Sequence, residues 1–207
     1  MREEKDSMGK ILVPDDVYYG AQTQRAVENF QISDRRIPKT LIRSLGIIKK
    51  SAAITNYKLK KINFKTKNAI VKSCNEIISG KHDNQFVVDI FQTGSGTSTN
   101  MNTNEVISNR ANEILGHKIG QKFPVHPNDH VNLGQSSNDT FPTSINIAIC
   151  LDLKEKLYPE LNALSKSLRK KVSKFKNIIK IGRTHLQDAT PITLGQEFSG
   201  YLNMVEN

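Results

Sequence analysis

The chain has 207 residues, long enough to bury a substantial core, and carries 30 Lys and Arg against 20 Asp and Glu, a formal charge of +10 that favours acidic partners. Nucleic acid is disfavoured among them: there is no zinc-finger spacing and no Trp, and the lysines (Lys49, Lys50, Lys58, Lys60, Lys61, Lys170, Lys171, Lys174, Lys176) scatter along solvated helix faces without a reading stripe. Cys74 and Cys150 each fall in an apolar helical pattern and read as core residues of a reducing compartment, while the charged N-terminus and the absence of a long apolar run predict a cytoplasmic chain without membrane contact.

In chain order, ILVPDDVYYG reads as a short strand or arm, followed by a helix around 22–30. From 38 to about 61, Leu41, Leu45, Ile48, Ala52 and Tyr57 recur at helical spacing after a proline near the first turn. A helix over 64–79 carries Ile70, Val71, Cys74, Ile77 and Ile78 on one face and stops at Gly80. TGSGTSTNMNTNE then reads as a tight polar loop entering a helix over about 103–115, with Asn102 and Glu105 at capping-box spacing and Gly116 closing it. After the turn-rich FPVHPNDHVN, a second polar loop, GQSSNDTFPTS, feeds a helix with Asp139 as its cap and Pro142 in its first turn.

That helix is long, with Leu153, Leu157, Leu161, Leu164, Leu168 and Val172 forming a seam for partner helices and Pro159 a kink. A third polar segment, GRTHLQDATP, leads through Thr190 and Pro191 into a last helix with Leu194, Phe198, Tyr201 and Val205 on one side. The expected fold is mainly α: an N-terminal mixed domain over 1–137 and the beginning of a central helical bundle over 138–207. The bare apolar stripes predict a chain that oligomerises through helices and belongs to something larger.

Each polar segment is expected to place backbone N–H groups and neutral hydroxyl or amide donors at the positive end of a helix dipole, a way to hold small anions. No P-loop and no strand followed by GxGxxG occurs, which disfavours nucleotides. A small di-anion with two carboxylates or phosphates fits better.

Taken in order and spacing, TGSGTSTNMNTNEV, HPNDHVN, GQSSNDTFPT and GRTHLQDATPITLGQE resemble the successive motifs of the fumarase/aspartase superfamily, over residues 4–206. Asn138 and His185 resemble class II fumarases, where aspartases typically carry Thr and Gln. The resemblance implies reversible hydration of fumarate to (S)-malate, a citric acid cycle reaction, without metal or organic cofactor, in a helical homotetramer. It implies that Ser95, Gly96 and Thr97 bind a substrate carboxylate with Ser136, Ser137, Asn138 and Thr184. It makes His185 the acid/base residue and His126, Pro127, Asn128 and Asp129 a second, non-catalytic anion site. The family's proton-abstracting serine lies on a GSSxMPxKxN loop that these residues do not contain. The alternatives are an aspartase-like ammonia-lyase and a non-catalytic anion-binding or oligomerising fragment.

Overall fold

Helices dominate the computed structural model, which describes residues 1–207. By compactness the chain divides into two units, 1–149 and 150–207. The sequence reading starts the second domain at 138. The first unit instead keeps most of the helix that begins there, because Thr140, Ser144 and Ala148, spaced four apart, are buried in it.

The first unit opens with a hairpin. Strands β1 (Arg2–Asp6) and β2 (Gly9–Val13) pair antiparallel from Arg2 opposite Val13 to Asp6 opposite Gly9. Asp6 closes the turn by accepting from the Met8 amide (2.9 Å) and meets Arg25 at 2.7 Å. Helices α1 (Ala21–Asn29), α2 (Lys39–Lys58) and α3 (Phe64–Ile78) follow close to their expected ranges. Asn63 caps α3 by accepting from the Thr66 amide (2.9 Å), and Gly80 takes the left-handed conformation after it, φ +83°. Helices α2 and α3 approach closely at Gly46, where a Cβ would stand 3.1 Å from Ile78 Cγ1. The buried face of α2 is Leu41, Ile42, Leu45, Lys49 and Ala53, so the expected stripe is rotated; Lys49 lies inside it and not on a solvated surface.

Helix α4 (Thr97–Ile114) starts earlier than its apolar spacing predicts and is buried on nearly every side despite its polar sequence. Its asparagines act as surrogate backbone for the irregular chain around it, since an amide side chain offers both donor and acceptor. Asn102 donates to Gln85 O (2.9 Å) and accepts from Val87 N (3.2 Å). Asn109 donates to Tyr18 O and accepts from Gly120 N, while Asn112 donates to Val125 O and accepts from Val125 N. The expected capping box of Asn102 and Glu105 is therefore absent: both sit inside the helix. Glu105 caps a different helix, accepting from Gly20 N (2.9 Å), Gln22 N (2.9 Å), Thr23 N (3.0 Å) and Thr23 Oγ1 (2.6 Å) at the entrance of α1. Glu4 accepts from Ala21 N (3.1 Å) alongside, and Gly20 has no room for a Cβ, which would lie 2.7 Å from Glu4 Oε2.

Between α3 and α4, Arg110 grips Glu76 with two hydrogen bonds (2.6 and 2.8 Å), and His82 Nε2 meets Glu76 at 2.9 Å. A one-turn π-helix at Pro127–Val131 precedes α5 (Ser137–Asp152), which carries Pro142 inside it. Asp139 is in the first turn of α5 and does not cap it; Ser136 Oγ accepts from the Asn138 amide (3.3 Å) instead.

In the second unit a π-helical turn, Leu153–Leu157, leads into α6 (Tyr158–Lys174), with Pro159 at its first positions. The widened turn takes up the missing N–H and ring bulk of that proline. The seam divides: Leu161, Leu168 and Val172 are half-buried, Leu157 and Leu164 exposed. Strands β3 (Ile179–Thr184) and β4 (Gln187–Thr193) form an antiparallel hairpin, so GRTHLQDATP is not the helix-entry loop expected. Helix α7 (Leu194–Glu206) is entered at Thr193, whose hydroxyl accepts from Gln196 N (3.1 Å) while Gln196 Oε1 accepts from Thr193 N (2.8 Å). Phe175 and Phe198 pack edge to face between α6 and α7, ring centroids 5.5 Å apart. Cys150 is exposed, against the expected core position; Cys74 is buried. No helix is long and apolar enough to cross a membrane.

Replacing Glu105 by Ala leaves three amides and a hydroxyl without their acceptor, and urea unfolding should register a loss of about 3 kcal/mol or more. The hydrogen bonds from Arg110 pull the Glu76 carboxyl down from 4.5 to about 2. A depressed carboxylate contributes stability above its unfolded value that disappears as pH falls through its folded one. Thermal melts of Glu76→Gln should therefore lose part of the pH dependence that the parent shows from about 4.5 down to about 2.

Candidate active site

The first polar loop is built for one backbone shape. Gly96 N donates to Thr93 O (2.9 Å), Gly96 takes φ +70° at the entrance of α4, and a Cβ there would stand 2.3 Å from Phe141 Cγ. Only glycine fits, since the left-handed conformation and the α5 ring both oppose a side chain. Gln92 clamps the other side, accepting from Thr99 N (2.8 Å) and donating to the Thr99 hydroxyl. Ser95 and Thr97 are thereby left exposed at the mouth of the helix.

The second polar loop comes to the same place. Ser95 Oγ and Thr97 Oγ1 share a hydrogen bond of 2.8 Å, and Thr97 Oγ1 and Ser137 Oγ one of 3.1 Å. Two helix entrances, α4 and α5, thus present a continuous chain of hydroxyls, with Ser136 and Asn138 exposed beside it. Hydroxyls rotate to suit a partner, and the N-terminal ends of two helices supply positive potential without a formal charge. Chemically, such an arrangement can hold a carboxylate, and its donors can tighten as charge develops.

Thr184 and His185 belong to the second unit. Thr184 ends β3, and His185 (φ +47°) and Leu186 (φ +61°) make the two-residue turn of the hairpin. Both Thr184 and His185 are exposed, and Arg183 Nη1 meets Asp188 across the strands at 3.1 Å, ordering the tip. His126 caps the π-helical turn: its Nδ1 accepts from the Asn128 and Asp129 amides, 3.2 Å each, and lies 3.3 Å from Asp129 Oδ2. With Nδ1 accepting, Nε2 carries the proton. Pro127 is buried at the first position of that turn, and Asn128 and Asp129 are exposed. The hydrogen bonds of this group close within the turn itself. No group of three or more His, Cys, Asp or Glu side chains is gathered in a way that could hold a metal ion.

Sequence spacing does not reveal the supports beneath the loops. Lys49, fully buried, donates to Asn132 Oδ1 (2.9 Å) and Gln135 Oε1 (3.0 Å), and Asn100 Nδ2 also donates to Asn132 Oδ1 (3.2 Å). The available signal is Lys49 falling in phase with Leu41, Ile42, Leu45 and Ala53.

Against known proteins, the sequence model of a family described as lyase matches residues 9–207. The chain belongs to the lyase family. It is 56% identical over 204 residues to "Fumarate hydratase class II" of Campylobacter jejuni, covering 99% of this chain and 44% of that protein. "Fumarate hydratase, mitochondrial" of Saccharomyces cerevisiae is also 56% identical, with 100% of this chain and 42% of that protein covered. Among solved structures, recombinant class II fumarase of Schistosoma mansoni superposes with a TM-score of 0.95 at 51% identity, covering 99% of this chain and 43% of that one. The fumarate lyase:delta crystallin of Brucella melitensis in native form gives 0.96 at 47% identity, covering 100% and 47%. The chain thus spans less than half the length of these relatives.

The structure makes Gly96 intolerant of any side chain. Gly96→Ala should destabilise the chain by about 1–3 kcal/mol, read by urea unfolding, because both the positive φ and the Phe141 contact must be disrupted.

Proposed function

We propose that the protein to which this lyase-family chain belongs is a fumarate hydratase, interconverting fumarate and (S)-malate. The observation that carries the reading is the hydroxyl chain Ser95, Thr97 and Ser137 at the meeting of two helix entrances. A planar carboxylate needs several directed donors, and these side chains are neutral, so they bind a di-anion without neutralising it. Ser136, Asn138 and the Thr97 entrance of α4 complete the donor set of this unit, and the resemblance adds Thr184 as a donor from its own unit. As the carbon next to the held carboxylate loses its proton, charge moves onto the carboxylate oxygens, and preset donors then contribute more to the transition state than to the substrate.

His185 moves the other proton. On its hairpin tip the imidazole is exposed and able to donate to a departing hydroxyl, or to take a proton from an attacking water in the reverse direction, directly or through one water molecule. His126, Asn128 and Asp129 form a second anion site, with the exposed face of the capped turn as its contact surface. The full assembly is a homo-oligomer, a tetramer by the resemblance, and the half-buried seam of α6 supports helix-to-helix association. An ammonia-lyase of the same superfamily is the less favoured reading, since the relatives quoted are named for fumarate hydration and Asn138 and His185 follow that pattern.

In the full-length polypeptide, fumarate consumption followed by ultraviolet absorbance should require no ammonia. There, His185→Asn should lower kcat by roughly 10²- to 10⁴-fold, and Ser137→Ala by roughly 10²-fold. Unchanged turnover in both variants, or turnover that depends on ammonia, would refute the assignment.

A further inference from the structure

Lys49 occupies a position on α2 where an apolar side chain of similar length would pack without the cost of desolvating an ammonium. It is fully buried, yet no carboxylate faces it. From α3 the titratable neighbour is the Cys74 thiol, which burial pushes up to about 12 and so keeps neutral. From α4 the polar neighbour is the neutral Asn100, and from the 131–135 segment come the amides Asn132 and Gln135. Burial brings Lys49 itself down to about 7.

These contacts converge on a short length of chain. The ammonium donates to Asn132 Oδ1 and Gln135 Oε1, Asn132 Nδ2 donates to Gln135 O (3.2 Å), and Gln135 Nε2 donates to Val131 O (2.9 Å). Asn100 donates to the same Asn132 oxygen from α4, while its own Oδ1 is buried with no partner. The residues that follow Gln135 are Ser136 and Ser137, and Ser137 makes the contact with Thr97 that joins the two donor loops. One lysine therefore ties α2 to the segment that delivers the second loop, and α4 is tied to it by the neighbouring asparagine.

We propose that Lys49 is a positioning residue for the dicarboxylate cradle: its ammonium pins Asn132 and Gln135 so that Ser136 and Ser137 arrive in register with Ser95 and Thr97. This rests on the fumarate hydratase reading. Lys49 touches no substrate itself. A charged Lys49 also lends the cradle positive potential through an interior where screening is weak, so substrate affinity falls as pH rises and the ammonium loses its proton. Burial sets this titration, and the groups around the ammonium, Cys74, Asn100, Asn132 and Gln135, carry no negative charge at neutral pH.

The test uses the full-length polypeptide and two variants, Lys49→Met and the milder Gln135→Met, the second of which retains the buried lysine and guards against a folding failure in the first. Three quantities are read: kcat, KM for fumarate across about pH 6 to about pH 8, and amide hydrogen exchange of residues 132–138. The expected result is kcat lowered and KM raised together in Lys49→Met, with kcat/KM down by about tenfold or more, and a smaller loss of the same kind in Gln135→Met. The rise of KM with pH in the parent should be missing from Lys49→Met, and residues 132–138 should exchange faster in both variants. A kcat/KM within about twofold of the parent in both variants, or unchanged exchange at 132–138, overturns the proposal, even if melting temperature falls. Should the parent show no fumarate turnover, the hydratase reading fails on its own, and the exchange arm alone decides whether Lys49 sets the loop.

Discussion

The first unit depends on one buried carboxylate. Glu105 reaches from the middle of α4 to three amides and a hydroxyl at the start of α1, which has no side-chain cap of its own. Burial pushes this carboxyl up, and its four hydrogen bonds oppose that push. The geometry favours the charged form, because all four partners are donors and the helix dipole adds to them. Glu4 from β1 doubles the arrangement, so hairpin, α1 and α4 are joined around the bare backbone at Gly20. Fixing α4 in this way also fixes its N-terminal end, where Gly96, Thr97 and the loop above them lie.

The asparagines of α4 extend the same logic. A polar helix in a protein interior would ordinarily be a liability, since each unpaired amide costs on the order of 1–3 kcal/mol. Asn102, Asn109 and Asn112 are instead paired with backbone groups of the loops and the short 3-10 turn around the helix. Irregular chain is thus held in place without strands, and the donor loops can be short and exposed yet well placed. Neutral donors gather at two helix entrances, and the buried Lys49 holds the segment that leads into the second of them.

The helical frame is legible in the sequence because α2, α3 and α7 have apolar periods and clear end signals, such as Gly80 after α3. Polarity misleads in α4: Asn102 and Glu105 have capping-box spacing, but their partners are Gln85, Val87 and the α1 entrance, all remote in sequence. Half of the first hairpin is legible, since ILV reads as a short strand or arm; its partner goes unseen because REEKD has no alternating apolar face. The second goes unseen because its turn is His185 and Leu186, where asparagine and glycine are the usual signal. Of the three polar segments expected to converge, the first two meet through Ser95, Thr97 and Ser137; the third is carried on a strand pair instead of a helix entrance. Lys49 is only half legible: its phase with Leu41, Ile42, Leu45 and Ala53 marks a buried position, but its partners Asn132 and Gln135 are remote in sequence.

That hairpin turn has a consequence for how an imidazole can be held. Two side-chain-bearing residues in succession adopt a backbone shape normally left to glycine, each at an energetic cost of roughly 1 kcal/mol or more. A glycine-rich tip would relax and let the ring wander. Here His185, the residue we propose as the acid/base group, sits in a left-handed backbone conformation, with Arg183 and Asp188 meeting across the strands behind it. The strained turn thus narrows the backbone positions from which the ring can be presented.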